Sequence, residues 1–202
     1  MKTLVKEITA YQYEELSECA KKKAKENYLA KEHLPEFFSE DLGENLKEWF
    51  GLYYLKTYFS LSCCQGDGLC LYGRIEHSEL FDNDKFKKIA FKGIHYKQIQ
   101  SVYDELQGID FIHRSRYYSA NTVNIESCEN NPSNKQAAII EKIISNVKSW
   151  YFSFCEEWEK NGYNYFYEIS DKEMEHICYE DEYLFTQDGH LIDKDKYKEL
   201  VA

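Results

Sequence analysis

The feature that most constrains the fold is a long stripe of apolar residues in the second half of the chain. Its members recur every three or four residues: Ile140, Ile143, Val147, Trp150, Phe154 and Trp158. This spacing puts them on one face of a helix, and so wide an apolar face must be buried against other elements. An Asn-Asn-Pro run at 130–132 predicts a loop before the helix, Ser133 or Asn134 its cap, and Asn161-Gly162 its end.

Segments of strand-like composition supply a surface for that helix. Tyr, Leu, Thr, Val and Ile recur in the ranges 52–61, 69–72, 109–118 and 122–128. An Asp-Gly pair within residues 65–68 predicts a tight turn, because glycine accepts the positive φ that such turns need. Residues 2–8 predict a further edge strand. We therefore predict an α+β fold: an antiparallel sheet of four to six short strands packed by helices on one face.

Two shorter stripes predict helices in the first fifty residues. Ser17 is the predicted N-cap of the first helix, and Pro35 favours the first turn of the second. Their apolar members are Leu16, Ala20, Ala24 and Tyr28 in the first helix, and Phe38, Leu42, Leu46 and Trp49 in the second. Each set predicts one buried helix face.

Three further elements are predicted from local signals. The helical pattern of residues 86–106 is broken near Gly93, which predicts two short helices or one kinked helix. Ser170, with Glu173 three residues later, predicts a capping box for a short acidic helix that ends near residue 182. A Gln-Asp-Gly turn at 187–189 predicts a small C-terminal hairpin.

Composition predicts one domain, residues 1–202, in a reducing compartment. Apolar residues make up 43% of the chain, enough for a core, and no stretch is long and apolar enough to cross a membrane. The first ten residues lack a signal-peptide run, so we expect a cytoplasmic protein. Seven irregularly spaced cysteines predict reduced thiols. Cys63, Cys64 and Cys70, even with His77, lack the usual zinc spacing, so no metal or cofactor is predicted.

The net charge of −11 is concentrated at the C-terminal end. Residues 150–202 carry 5 Lys and 14 Asp+Glu, a net charge of −9. Such a surface repels phosphate, so we expect no direct nucleic-acid contact there, but it attracts a basic protein surface. The alternative is a solvated face that keeps the chain soluble. The candidate partner-binding residues are Glu156, Glu157, Glu159, Asp171, Glu173, Glu180, Asp181 and Glu182.

Four segments taken in order, residues 13–28, 58–68, 150–158 and 182–190, carry a family resemblance. They resemble small bacteriophage and prophage proteins commonly labelled as the antitoxin of a toxin-antitoxin stability system, with residues 80–108 as a variable helical insert. The resemblance implies a phage-encoded, non-enzymatic accessory protein that binds and inhibits a host protein. A nucleic-acid-handling defence complex such as a CRISPR effector, with a basic surface, is one such partner. An antitoxin that neutralises a cognate toxin is an alternative.

A second alternative is a nucleotide or small-molecule binding protein or enzyme, whose site would use Gln65, Asp67, His113, Arg114 and Arg116. Glycine-flanked backbone N–H groups hold anions, and Arg beside Tyr grips phosphates or stacks on bases. The competing interpretation is turn chemistry at 65–68, with surface arginines paired to the acidic C-terminal segment. Residues 113–116 offer no acid to orient a histidine, so no catalytic residue is predicted.

Overall fold

The computed structural model describes residues 9–30 and 34–192. The chain divides into two compact units, which are described separately. The sheet unit comprises residues 35–163, and the terminal unit takes in the described residues on either side of it. The strand predicted at 2–8 lies outside the described residues. The single domain with an insert at 80–108 stays a prediction.

Four strands and seven α-helices occur among the described residues. The strands are β1 (Leu55–Ser60), β2 (Gly68–Glu76), β3 (Leu106–His113) and β4 (Val123–Glu129). The helices are α1 (Glu18–Leu29), α2 (Leu34–Phe50), α3 (His77–Phe81), α4 (Asp84–Ala90), α5 (Tyr96–Ser101), α6 (Asn134–Tyr167) and α7 (Asp171–Glu180). None of these helices is long and apolar enough to span a membrane.

The sheet unit is built on an antiparallel sheet in the order β1-β2-β3-β4. Helices pack on one of its faces: Phe38 of α2 meets Phe59 of β1 with ring centroids 5.1 Å apart, and Tyr151 of α6 meets Phe111 of β3 at 5.5 Å. The predicted α+β fold with a four-strand sheet is therefore confirmed. The predicted break near Gly93 is confirmed too, because α4 and α5 are separate short helices.

Four members of the predicted apolar stripe of α6 are buried and the other two, Trp150 and Trp158, are half-buried, but the helix does not end at Asn161-Gly162. Its backbone continues to Tyr167. A Cβ atom at Gly162 would lie 2.3 Å from Leu61 Cδ1 and 2.8 Å from Phe38 Cζ. Glycine is therefore needed here for a close approach of the helix to its neighbours, and it does not act as a C-terminal cap.

Three local predictions in the sheet unit are wrong. Trp49 does not line the buried side of α2 but is 69% exposed, because Phe50 continues the four-residue stripe and packs on Trp150 and Phe154. The strand predicted at 109–118 ends at His113, so Arg114 and Arg116 lie in a loop. The tight turn predicted at 65–68 is a longer connection, since β1 ends at residue 60 and β2 begins at residue 68.

The terminal unit has its own small core, formed by Tyr13, Leu16, Ala20, Ala24, Met174, Cys178 and Phe185. The two predicted caps are confirmed. Ser17 Oγ accepts from Ala20 N at 3.3 Å, and Ser170 and Glu173 form the reciprocal capping box of α7. The predicted C-terminal hairpin is reduced to single bridges, which join Phe185 to Leu191 and to Tyr11.

Candidate functional site

A cleft of about 540 Å³ opens on the terminal unit. One wall is formed by residues 12–14, at the start of the 3-10 turn Tyr13–Glu15, and the other by α7 with residues 182–184. Both walls are fixed by local hydrogen bonds. Gln12 N donates to Glu15 Oε2 at 2.7 Å, and Ser170 N donates to Glu173 Oε2 at 2.8 Å at the start of α7. We call this feature the acidic cleft.

Carboxylates and tyrosines dominate the lining of the acidic cleft. The charged residues on its walls are Glu14, Glu175, Glu180 and Glu182, and the aromatic ones are Tyr13, Tyr179 and Tyr183. No Lys, Arg or His of the described chain is on those walls. Tyr179 presents its ring to solvent with 81% of the residue exposed. The lining therefore offers negative charge and aromatic faces to a cation.

Two of these tyrosines are held as neutral hydroxyls. Burial, and then the hydrogen bond that Tyr13 Oη donates to Asp171 Oδ1 at 2.9 Å, raise the pKa of Tyr13. Burial, and then a hydrogen bond to Asp181, raise the pKa of Tyr183. The negative charge of the cleft therefore comes from its carboxylates, and the rings stay uncharged at neutral pH.

The eight predicted acidic residues do not form one site. Glu156, Glu157 and Glu159 belong to the sheet unit, and the other five belong to the terminal unit. Of those five, only Glu180 and Glu182 line the acidic cleft.

The remaining three predicted residues of the terminal unit have partners within it. Asp171 lies 2.6 Å from Lys25 Nζ, and this contact, followed by the bond from Tyr13, lowers the pKa of Asp171. Glu173 is the second member of the α7 capping box. Asp181 follows α7 and hydrogen-bonds Tyr183.

Sequence reasoning missed most of the cleft. Glu175, Tyr179 and Glu182 are spaced by four and three residues, a pattern that places them on one side of a helix and its immediate extension. That signal was available in the sequence. Glu14 and Tyr13 join them only through the tertiary fold, because they come from the opposite end of the chain.

The second predicted site centres on Asp67, whose carboxylate is used by its own loop. Oδ1 accepts from Ser60 Oγ at 2.7 Å, and Oδ2 accepts from Ser62 N at 2.6 Å and Cys64 N at 2.7 Å. The bond from Cys64 N contributes most to lowering the pKa of Asp67. This pattern matches the turn-chemistry interpretation, in which the carboxylate organises the connection between β1 and β2.

The other predicted residues of this site do come close to the 65–68 segment. Tyr118 N donates to Gly66 O at 3.2 Å, and a Cβ atom at Gly66 would lie 2.1 Å from Tyr117 Cδ1. His113 Nε2 contacts Tyr117 O at 2.8 Å, and Arg116 donates to Tyr117 Oη at 2.8 Å. The loop after β3 therefore covers the glycine backbone that an anion would need.

Three residues of this predicted site point to solvent or lack an ion pair within the described residues of the sheet unit. Gln65 and Arg114 are exposed. Within the described residues of the sheet unit, neither Arg114 nor Arg116 has a carboxylate within ion-pair distance, and their pairing with the acidic C-terminal segment stays a prediction.

The cysteines do not assemble a metal centre within the described residues. Cys63 and Cys64 are exposed, whereas Cys70 is fully buried. Burial raises the pKa of Cys70 to about 11, so this thiol stays protonated at neutral pH.

Comparison with known proteins gives a family match. A family model described as "Domain of unknown function (DUF8835)" matches residues 42–180, more than half of the chain. The matched range takes in the whole sheet and α7. No curated protein and no solved structure matches the chain.

Proposed function

We propose that this chain, which belongs to the family described as Domain of unknown function (DUF8835), is a non-enzymatic protein that binds a basic surface of another protein. The observation that carries the proposal is the acidic cleft, a hollow of about 540 Å³ whose charged lining residues, within the described part of the chain, are all carboxylates. A Lys or Arg side chain that enters it meets negative charge next to tyrosine rings.

The position of the carboxylates at the end of α7 strengthens the negative potential. The last turn of α7 contains no basic residue, and Glu180, Asp181 and Glu182 follow one another at its C-terminal end. Helix C-termini already carry partial negative charge, so carboxylates there cost stability and a cation there is favoured. A bound cation relieves this repulsion.

Aromatic rings beside the carboxylates favour arginine over lysine as the bound group. A guanidinium is planar, so it stacks on a tyrosine face while its N–H groups donate to a carboxylate. Tyr179 is exposed beside Glu175 and Glu180 on the same wall. We therefore expect the partner segment to be rich in arginine.

We further propose that the partner is a host protein whose basic surface ordinarily holds nucleic acid, and that binding blocks this surface. The resemblance to bacteriophage proteins and the sign of the cleft support this choice, and a CRISPR effector is one such complex. In a competition assay, the chain should displace DNA from a purified effector. Retained DNA would reject that partner and leave the cleft proposal standing.

The cleft itself is tested with a defined probe, a fluorescein-labelled peptide of about nine arginines. Fluorescence anisotropy should show binding that weakens steeply as salt rises, and a nonalysine peptide should bind more weakly. Replacing Glu175→Lys and Glu180→Lys together should lower the affinity at least tenfold.

The matched control for that pair is Glu44→Lys with Glu48→Lys, two exposed residues of α2 in the sheet unit. It changes the net charge by the same amount, so an effect of overall charge alone would appear in both double variants. If both double variants weaken binding equally, the peptide responds to the net charge of the chain, and the acidic cleft is not its binding site.

A further inference from the structure

One edge of the sheet has no strand partner in the described part of the chain. β4 pairs with β3 along one side, and it is the last strand in the order β1-β2-β3-β4. The isolated bridges found elsewhere do not involve β4. An unpaired edge presents a row of backbone N–H and C=O groups, which is a template for another extended chain.

A groove of about 580 Å³ runs beside this edge, between β4 and α6. The α6 wall is a single stripe with helical spacing: Ala137, Ile140, Glu141, Ile144, Ser145 and Lys148. Ile125 and Ile140 are buried at its base, and Ile144 is half-buried above them. A strand added to β4 would place every second side chain over this apolar base.

The charges along the groove select the occupant. Four charged residues line the groove in the described part of the chain: three are acidic, Glu126, Glu129 and Glu141, and the fourth is Lys148. Ile125 faces the helices because it lies opposite Phe111, which packs on α6, so Glu126 points to the other face of the sheet. A second copy of β4 would bring carboxylates against carboxylates, whereas a strand with lysine opposite Glu126 would be attracted.

We propose that β4 and α6 form a peptide-binding groove that takes an extended segment of another protein by strand addition. In this segment, basic residues on the open face of the sheet alternate with apolar residues on the helix side. Main-chain hydrogen bonds to β4 give the affinity, and the groove and Glu126 give the specificity. The groove lies in the sheet unit, so this inference does not depend on the acidic cleft of the terminal unit.

The probe for this proposal is an acetylated and amidated peptide of about seven residues in which Lys alternates with Ile. Binding to the full chain should slow hydrogen exchange of backbone amides within residues 123–129. A second peptide keeps every side chain but carries N-methyl groups on its central Lys and central Ile, which blocks both of its edges. It should bind at least tenfold more weakly, because strand addition needs these N–H groups.

Two variants of the chain complete the test. Glu126→Lys should lower the affinity for the unmethylated peptide at least fivefold, while Glu44→Lys on α2, which makes the same change in charge, should leave that affinity unchanged. Equal affinity for the two peptides would overturn strand addition. An affinity that is unchanged in Glu126→Lys, or lowered equally in Glu44→Lys, would overturn the role of the groove.

Discussion

Two acidic regions of this chain use the same chemical group in opposite ways. In the sheet unit, the Asp67 carboxylate accepts hydrogen bonds from Ser60, Ser62 and Cys64, all within its own connection between β1 and β2. In the terminal unit, the carboxylates of Glu175 and Glu180 line an open cleft, and none of the described residues on its walls is a cation. The first arrangement stabilises the fold, and the second leaves charge available to a partner.

The difference comes from where each acid lies in its element. Asp67 ends a loop whose backbone N–H groups have no strand partner, so its short side chain satisfies them locally. Glu180 lies at the C-terminal end of a helix, where the free backbone groups are carbonyls that repel a carboxylate. Substitutions in the turn should therefore change the free energy of unfolding, and substitutions in the cleft should change binding.

The largest effect on stability is expected for Gly66→Ala. Gly66 has φ of 95°, and a Cβ atom there would lie 2.1 Å from Tyr117 Cδ1. The left-handed backbone and the clash should lower the free energy of unfolding by about 2 kcal/mol, measured by urea denaturation. The matched control is Gly43→Ala inside α2, where a Cβ atom meets nothing within 4 Å. The free energy of unfolding of Gly43→Ala should rise by up to about 1 kcal/mol. An unchanged free energy of unfolding in Gly66→Ala would show that the turn does not depend on the left-handed backbone of Gly66.

A smaller, pH-dependent effect is expected for Asp67→Asn. The folded state lowers the pKa of Asp67 below its usual value near 3.8, so the ionised carboxylate stabilises the fold above that value. This contribution is lost as the pH falls through the lowered pKa. The urea midpoint of the variant should therefore lie below that of the wild type at neutral pH, and the gap should narrow in acid. A difference in urea midpoint that widens in acid would contradict a lowered pKa for Asp67 in the folded state.

The cleft variant Glu175→Lys with Glu180→Lys should hardly change stability. Glu180 is exposed and Glu175 is half-buried, and a lysine at the end of α7 suits the helix dipole. Its free energy of unfolding should stay within about 0.5 kcal/mol of the wild-type value in the same urea series, while nonaarginine binding falls. A stability loss as large as that of Gly66→Ala would show that the cleft carboxylates hold the fold together, as Asp67 does.

The smallest effect is expected for Tyr179→Ala. This ring is 81% exposed, so its removal should leave stability unchanged. A cation–π contact at an exposed site is worth about 0.5–1 kcal/mol, which corresponds to an affinity loss of about two- to fivefold for nonaarginine. Tyr96→Ala in α5, 72% exposed, is the matched control and should bind like the wild type. Equal losses in both variants would exclude a specific role for Tyr179.

The fold was predictable where local signals decide. The stripe of α6 and the caps Ser17 and Ser170 depend on neighbours within a few residues, and all three are confirmed. The prediction that α6 ends at Gly162 is wrong, because only the tertiary contact with Leu61 and Phe38 shows why a glycine lies there.

The candidate site was predictable only in part, for the same reason. Charge along the chain identified Glu180 and Glu182, and both line the acidic cleft. Glu14 and Tyr13 reach the cleft through packing of the terminal unit, which no local pattern encodes. In the same way, Glu156 and Glu157 share the acidic segment with Glu180 but lie in the other unit.

The most direct test maps nonaarginine onto the ¹⁵N-labelled chain by NMR. The amide shifts of residues 12–14 and 175–184, which line the acidic cleft, should move, while those of residues 60–68 should stay in place. Saturating shifts at 60–68 with none at 175–184 would contradict binding in the acidic cleft. The peptide would then bind near Asp67, whose carboxylate is hydrogen-bonded within its own loop.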